Sequence, residues 1–148
     1  MEDGVITNRK ARFEYEILQT FDAGIELLGH EAKALKFGRG DLTATHVIVR
    51  GGEAYVVNMK IPPYQPNNVP KDYEPSRVRR LLLTRAEIAE LDGRLRTAGL
   101  TAIPLRVYIR NRLVKMEIAL GKGKNKADKR ETIKKREWSR IRRDIETR

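Results

Sequence analysis

The chain contains no cysteine. That excludes disulfide scaffolds, zinc ribbons, iron–sulfur centres and thiol nucleophiles together. Histidine is scarce: His30 and His46 are the only two, and neither stands at a spacing from serine or carboxylate that makes a triad or a metal-ligand pair. No apolar run approaches the roughly 18 residues that a membrane span requires. The opening Met1-Glu2-Asp3-Gly4 is acidic and leads into no apolar stretch, so no secretory signal is expected. The glycine groups Gly38-Arg39-Gly40 and Gly121-Lys122-Gly123 do not follow a strand and open a helix, as a phosphate-cradling loop must. Glu31 could act as a general base, but no nucleophile, second acid or metal ligand accompanies it. These gaps lead to the expectation of a soluble cytoplasmic protein with no catalytic residues, no metal, no cofactor and no membrane partner.

What is present is positive charge. Among 148 residues, 31 are basic and 20 acidic, a net charge of +11. Such an excess repels itself and adds nothing to a core, so a polyanionic partner is its usual counterpart. The excess is unevenly placed. Residues 121–148 hold six Lys, six Arg and five acids, a net of +7 that leaves only +4 for the first 120. The expected organisation is therefore a folded body, residues 1–120, and a basic C-terminal tail, residues 121–148. Gly121-Lys122-Gly123-Lys124 reads as a flexible basic hinge between them.

Alternating apolar positions make the body mainly β. Phe13, Tyr15 and Ile17 suggest a first strand, with a turn at Asp22-Ala23-Gly24 and a second strand carrying Ile25 and Leu27. Val47 and Val49, then Tyr55, Val57 and Met59, flank a hairpin turn at Gly51-Gly52. Ile103 to Ile109 and Val114 to Leu120 make two more around Asn111-Arg112. Six short antiparallel strands predict a closed, oligonucleotide-binding-fold-like barrel, since closure protects their edges. Two peripheral helices are expected. One follows the capping box Thr84-Arg85-Ala86-Glu87 with Ile88, Leu91 and Leu95 as its stripe and Gly99 as its stop. A shorter one runs from His30 to Phe37. The proline-rich stretch from Ile61 to Pro75 reads as a surface loop, and Ser76 to Leu83 fits either a helix or an extended segment.

Arg106, Tyr108 and Arg110 share one outward strand face, cations interleaved with an aromatic, which suits phosphate contact and base stacking. Arg77, Arg79, Arg80 and Arg85 form a second basic cluster. Arg9, Lys10, Lys122 and Lys124 add further cations for a phosphate backbone. In the tail, Asp128 with Glu131 three residues on gives a helix start, and Ile133, Trp138, Ile141 and Ile145 fall roughly on one side. That segment is expected to be disordered alone and helical when a polyanion neutralises it. RNA is the favoured partner. A ribosomal or ribosome-assembly protein is the alternative of a different class.

Seven blocks in order carry a resemblance: Asn8-Arg9-Lys10-Ala11, Ala23-Gly24-Ile25, Gly29-His30-Glu31-Ala32-Lys33-Ala34-Leu35, Asn58-Met59-Lys60-Ile61-Pro62-Pro63-Tyr64, Arg79-Arg80-Leu81-Leu82-Leu83, Gly99-Leu100-Thr101-Ala102-Ile103-Pro104-Leu105 and Asp128-Lys129-Arg130-Glu131-Thr132-Ile133-Lys134. Over nearly its whole length the chain resembles the SsrA-binding (small protein B) family. The resemblance implies a monomeric body that binds the tRNA-like domain of transfer-messenger RNA (tmRNA), adding Glu31, Lys33 and Asn58 to the contacts above. It also implies delivery to stalled ribosomes for trans-translation. The tail then enters the small-subunit decoding centre and the empty mRNA path through Asp128, Lys129, Arg130, Ile133, Lys134, Lys135, Arg136 and Trp138. His30, Ala32 and Lys60 depart from the family's Thr, Val and His. Ala127 stands where many members carry an aromatic or His.

Overall fold

The structure, a computed structural model, describes residues 2–97 and 99–124. It contains seven strands: β1 (Glu2–Thr7), β2 (Tyr15–Ile25), β3 (His46–Arg50), β4 (Glu53–Val57), β5 (Arg79–Leu82), β6 (Leu100–Arg110) and β7 (Leu113–Gly123). Its helices are α1 (Ala11–Glu14), α2 (Gly29–Lys36) and α3 (Arg85–Leu95), with a 3-10 turn at Pro66–Asn68. All strand pairs are antiparallel, in the order β1-β6-β3-β4-β5-β2-β7, and β7 pairs back onto β6. Six strands therefore close into a ring, while β1 adds to the free part of the β6 edge, opposite Arg106 to Arg110. The ring encloses one main core around Phe21, Val56, Leu81, Met116 and Ile118.

The mainly β class with peripheral helices agrees with the sequence pattern, but several boundaries differ. Phe13 lies in α1, not in a strand. The expected turn at Asp22-Ala23-Gly24 is absent, because Phe21, Ala23 and Ile25 are buried at alternate positions and β2 runs straight through. Gly24 serves close approach instead of a turn: a Cβ there would meet Leu82 Cβ at 3.3 Å. Leu27 consequently lies beyond the strand. The 76–83 segment contains an extended strand, β5, that closes the ring between β4 and β2. Gly121 to Gly123 are no hinge but the end of β7, paired to Tyr15, Glu16 and Ile17.

Two hairpins rest on paired positive φ angles, which match the twist of the flanking strands. Gly51 and Gly52 adopt φ of 59° and 77°, while Asn111 and Arg112 adopt 50° and 68° at the β6–β7 turn. Helix α3 starts as its capping box requires: Glu87 N–H donates to Thr84 Oγ1 at 3.1 Å and Thr84 N–H to Glu87 Oε1 at 3.0 Å. The expected tail helix, and all tail residues from Asp128 to Trp138, lie outside the described residues.

Candidate nucleic-acid interface

The positioning of the N-terminal cations begins with a proline. Pro104 has no N–H for the ladder, and the β6–β7 register slips between Pro104 and Arg106. Both carbonyls at this bulge are taken by one residue. Asn8 N–H donates to Leu105 O at 2.8 Å and Asn8 Nδ2 to Pro104 O at 2.9 Å. The chain then turns into α1, whose buried Ala11 packs with Ile103, Leu105 and Ala119 in a small second core beside Tyr15 and Ile17. Arg9, Lys10 and Arg12 are left exposed.

The β2–β7 ladder brings the C-terminal cations to the same place. Lys122 stands opposite Glu16, and Gly123 opposite Tyr15. Lys124 N–H donates to Glu14 O at 3.0 Å, and its Nζ to Arg12 O at 3.3 Å. Arg9, Lys10, Arg12, Lys122 and Lys124 thus gather around α1, although more than a hundred residues separate the two groups in sequence. Beside them lies a cleft of about 610 Å³, lined by Asn8, Arg9, Lys10, Tyr15, Asp41 and His46 among others. Arg12 was absent from the expected contacts; the run Arg9-Lys10-Ala11-Arg12 was its only signal.

The far end of the same sheet differs from expectation. Arg106, Tyr108 and Arg110 do share a face, but Tyr108 is fully buried. Its hydroxyl donates to Asp22 Oδ1 at 2.8 Å. The Arg106 and Arg110 guanidinium carbons sit 4.5 and 5.2 Å from its ring centroid. Arg106 Nε also lies 3.3 Å from Glu117 Oε1. Tyr108 is therefore no open stacking platform: two guanidinium groups already occupy its ring. Arg106 and Arg110 remain half-exposed, with Lys115 opposite Tyr108 on β7. Lys115 and Lys122 lie seven residues apart on one strand, roughly 23 Å.

Glu31, expected among the RNA contacts, lies inside the fold. It has no exposed surface, and both carboxylate oxygens are engaged within the protein. Oε1 accepts from Leu28 N–H at 2.8 Å and from Arg77; Oε2 accepts from Arg77 Nε at 3.0 Å and from Arg79 Nε at 2.7 Å. The Tyr73 hydroxyl is 2.9 Å from Oε2 and from Ile61 O, and receives Arg79 at 3.0 Å. Arg79, also fully buried, donates further to Met59 O at 2.6 Å and Pro75 O at 2.9 Å. Burial alone would raise the Glu31 pKa. The hydrogen bonds from Arg77, Leu28 N–H and Arg79 outweigh it and lower the pKa from 4.5 to about 2. This network pins the 61–79 segment onto α2, so the basic cluster around Arg77 and Arg79 is an internal clamp. Arg80 is exposed, 3.2 Å from Glu53 and 3.6 Å from Glu26. His30 sets its ring edge-on to Tyr73 at 4.5 Å, with neither ring nitrogen hydrogen-bonded. Lys33, on α2, and Asn58, at φ 67° just beyond β4, are both exposed.

The arrangement offers an exposed cationic end, a cleft beside it and a strand face of partly shielded arginines. It suits an extended polyanion better than a small substrate. A family model described as SmpB protein matches residues 5–147. The chain belongs to the SmpB family. It is 48% identical over 136 residues to the SsrA-binding protein of Chlorobaculum tepidum, covering 91% of this chain and 86% of that one. Against the SsrA-binding protein of Nostoc punctiforme it is 45% identical over 136 residues, covering 92% and 88%. A solved structure described as "tmRNA-SmpB: a journey to the center of the bacterial ribosome" matches with a TM-score of 0.69 at 37% identity, covering 87% of this chain and 94% of that one.

Proposed function

We propose that this chain binds the tRNA-like domain of tmRNA (SsrA RNA) and delivers it to stalled ribosomes for trans-translation. The observation that carries the reading is the meeting of Arg9, Lys10 and Arg12 with Lys122 and Lys124 around α1. It is a convergence of cations that the fold builds from both ends of the body and leaves largely exposed. Family membership supplies the RNA: relatives sharing nearly half of their residues over most of both chains are SsrA-binding proteins.

The role is binding, with chemistry left to the ribosome and to the synthetase that charges the RNA, and the place of action is the cytoplasm. The body holds the RNA while residues 121–148 reach toward the decoding centre and the vacant mRNA path. Asp128, Lys129, Arg130, Ile133, Lys134, Lys135, Arg136 and Trp138 carry that second contact. Filter binding of SsrA RNA to the full chain tests the reading. Arg9→Ala with Lys10→Ala should weaken binding by at least tenfold, since each lost phosphate contact forfeits counterion release. Equal affinity of the double variant and the parent would remove the α1 end from the interface.

A further inference from the structure

Phe37 is 68% exposed, more than any other large apolar side chain among the described residues. It is the C-cap of α2, and its position is fixed by backbone geometry. Arg39 N–H donates to Ala34 O and Gly38 N–H to Leu35 O, both at 2.9 Å, with Gly38 at φ 74°. That is the paired closure of a helix end on a left-handed glycine. Facing it, Tyr64 packs partly buried against the main core, and the turn that follows is held by Asn68 N–H donating to Gln65 O at 2.8 Å. The Phe37 and Tyr64 rings are nearly parallel, with planes 8° apart and centroids 5.5 Å apart. The Arg39 guanidinium lies 5.9 Å from the Tyr64 centroid.

An anchored ring thus supports a second ring that keeps much of its surface in water. The charge around it has one sign. Lys33, Lys36, Arg39 and Lys60 are exposed. Within residues 29–40 and 60–70 the only acid is Glu31, which is buried. An apolar protein partner would use the ring and leave Lys33, Lys36 and Arg39 without acidic counterparts, whereas Lys60 already faces Asp41 across a backbone bridge. A nucleotide uses both, stacking its base on the ring and setting its phosphates among the cations. The segment after Phe37 leads directly into the cleft beside Arg9 and Lys10, which Gly40 and Asp41 help to line.

We propose that the Phe37–Tyr64 stack is a second contact for the same RNA, a platform that takes one unpaired base while Lys33, Lys36 and Arg39 hold its flanking phosphates. The proposal rests on SsrA RNA binding at the α1 end, and its test separates the two. SsrA RNA is titrated with the full chain carrying Phe37→Ala, Phe37→Trp, or Lys122→Ala with Lys124→Ala, at several salt concentrations. A fully base-paired RNA of similar length is the control.

Phe37→Ala should weaken SsrA RNA binding by about tenfold, and Phe37→Trp should restore it. The log–log salt slope should not change, because a base stack releases no counterions. Duplex RNA should not distinguish Phe37→Ala or Phe37→Trp from the parent. The lysine pair should instead flatten the slope, and if it does not, the α1 interface fails on its own terms. The platform is overturned if Phe37→Ala binds SsrA RNA like the parent, or if its loss is equal on duplex. It is also overturned if Phe37→Ala spares SsrA RNA binding and lowers only binding to isolated ribosomes, which would mark a contact with the ribosome instead.

Discussion

The carboxylate of Glu31 takes the guanidinium of Arg79 from 48 residues further along the chain, and neither side chain reaches solvent. This pair, with Arg77 and Tyr73, ties α2 to the loop before β5 and so fixes the strand that joins β4 to β2 in the ring. Replacing the carboxylate leaves two guanidinium groups without their counter-charge. Glu31→Gln should therefore cost about 3–5 kcal/mol of folding stability, read as a lower urea midpoint. Where the variant is fully folded, its SsrA RNA affinity should equal the parent's. A weakened affinity in folded protein would place Glu31 at the interface after all.

The same group sets an acid limit on stability. Its pKa is depressed in the folded protein, from 4.5 to about 2. The stabilisation is therefore complete above pH 4.5 and is lost as pH falls through about 2. A depression of this size is worth about 3 kcal/mol. Urea midpoints of the parent and of Glu31→Gln should converge between pH 5 and pH 2 by about that amount. Parallel curves would show that the charge contributes nothing.

At the α1 end the expected signature is ionic. If the body neutralises about five phosphates, the log–log dependence of SsrA RNA affinity on salt should have a slope near −4. Removing Lys122 and Lys124 together should flatten it by about 1.5. Lys122 is exposed near the end of β7, and Lys124 just beyond it makes one long surface bond to Arg12 O, so their loss should change the thermal midpoint little. A salt-independent affinity would set the phosphate contacts aside.

Much of the fold was legible because its signals are local. Thr84 and Glu87 announced α3 through a reciprocal cap, and Gly51-Gly52 announced the β3–β4 turn. Strand β1 was not legible. Glu2-Asp3-Gly4-Val5-Ile6-Thr7 has no alternation, and its extended form comes from pairing with β6. Tyr108 was placed on the correct face with Arg106 and Arg110, yet its burial depends on those guanidinium groups and on Asp22, 86 residues away. The basic run before α3 likewise concealed a clamp, because its acid, Glu31, sits on α2. Period reveals which side chains share a face; it does not reveal which of them partner one another. Phe37, now the outer ring of the stacked pair, was read only as the end of a helix.

The β6–β7 turn holds a stabilising substitution. Arg112 adopts φ 68°, a left-handed conformation that costs a residue with a Cβ about 1 kcal/mol. Asn111, at φ 50°, tolerates the same region more readily. Arg112→Gly should raise the unfolding free energy by about 0.5–1 kcal/mol, the turn gain being partly offset by the freer unfolded chain. Denaturant titration of the two proteins measures it. An unchanged or lower midpoint would mean that the Arg112 side chain repays the backbone cost.

Body and tail should separate at Lys124. Among the described residues, the last backbone bond tying the chain to the ring is Lys124 N–H to Glu14 O, at 3.0 Å, and β7 is paired as far as Tyr15 opposite Gly123. A chain ending at Lys124 keeps both, together with every cation of the α1 cluster. It loses residues 125–148, which carry ten basic and five acidic side chains. If the body alone grips the tRNA-like domain, the shortened protein should bind SsrA RNA with the parent's salt slope and nearly its affinity. If the tail occupies the decoding centre in place of a codon–anticodon pair, the same protein should fail to support tagging of stalled chains. The two readouts are independent, and each has its own contrary outcome. A flatter salt slope would assign phosphates of the tRNA-like domain to the tail. Tagging at the parent's rate would show that the ribosome accepts the charged RNA with no tail in its empty mRNA path.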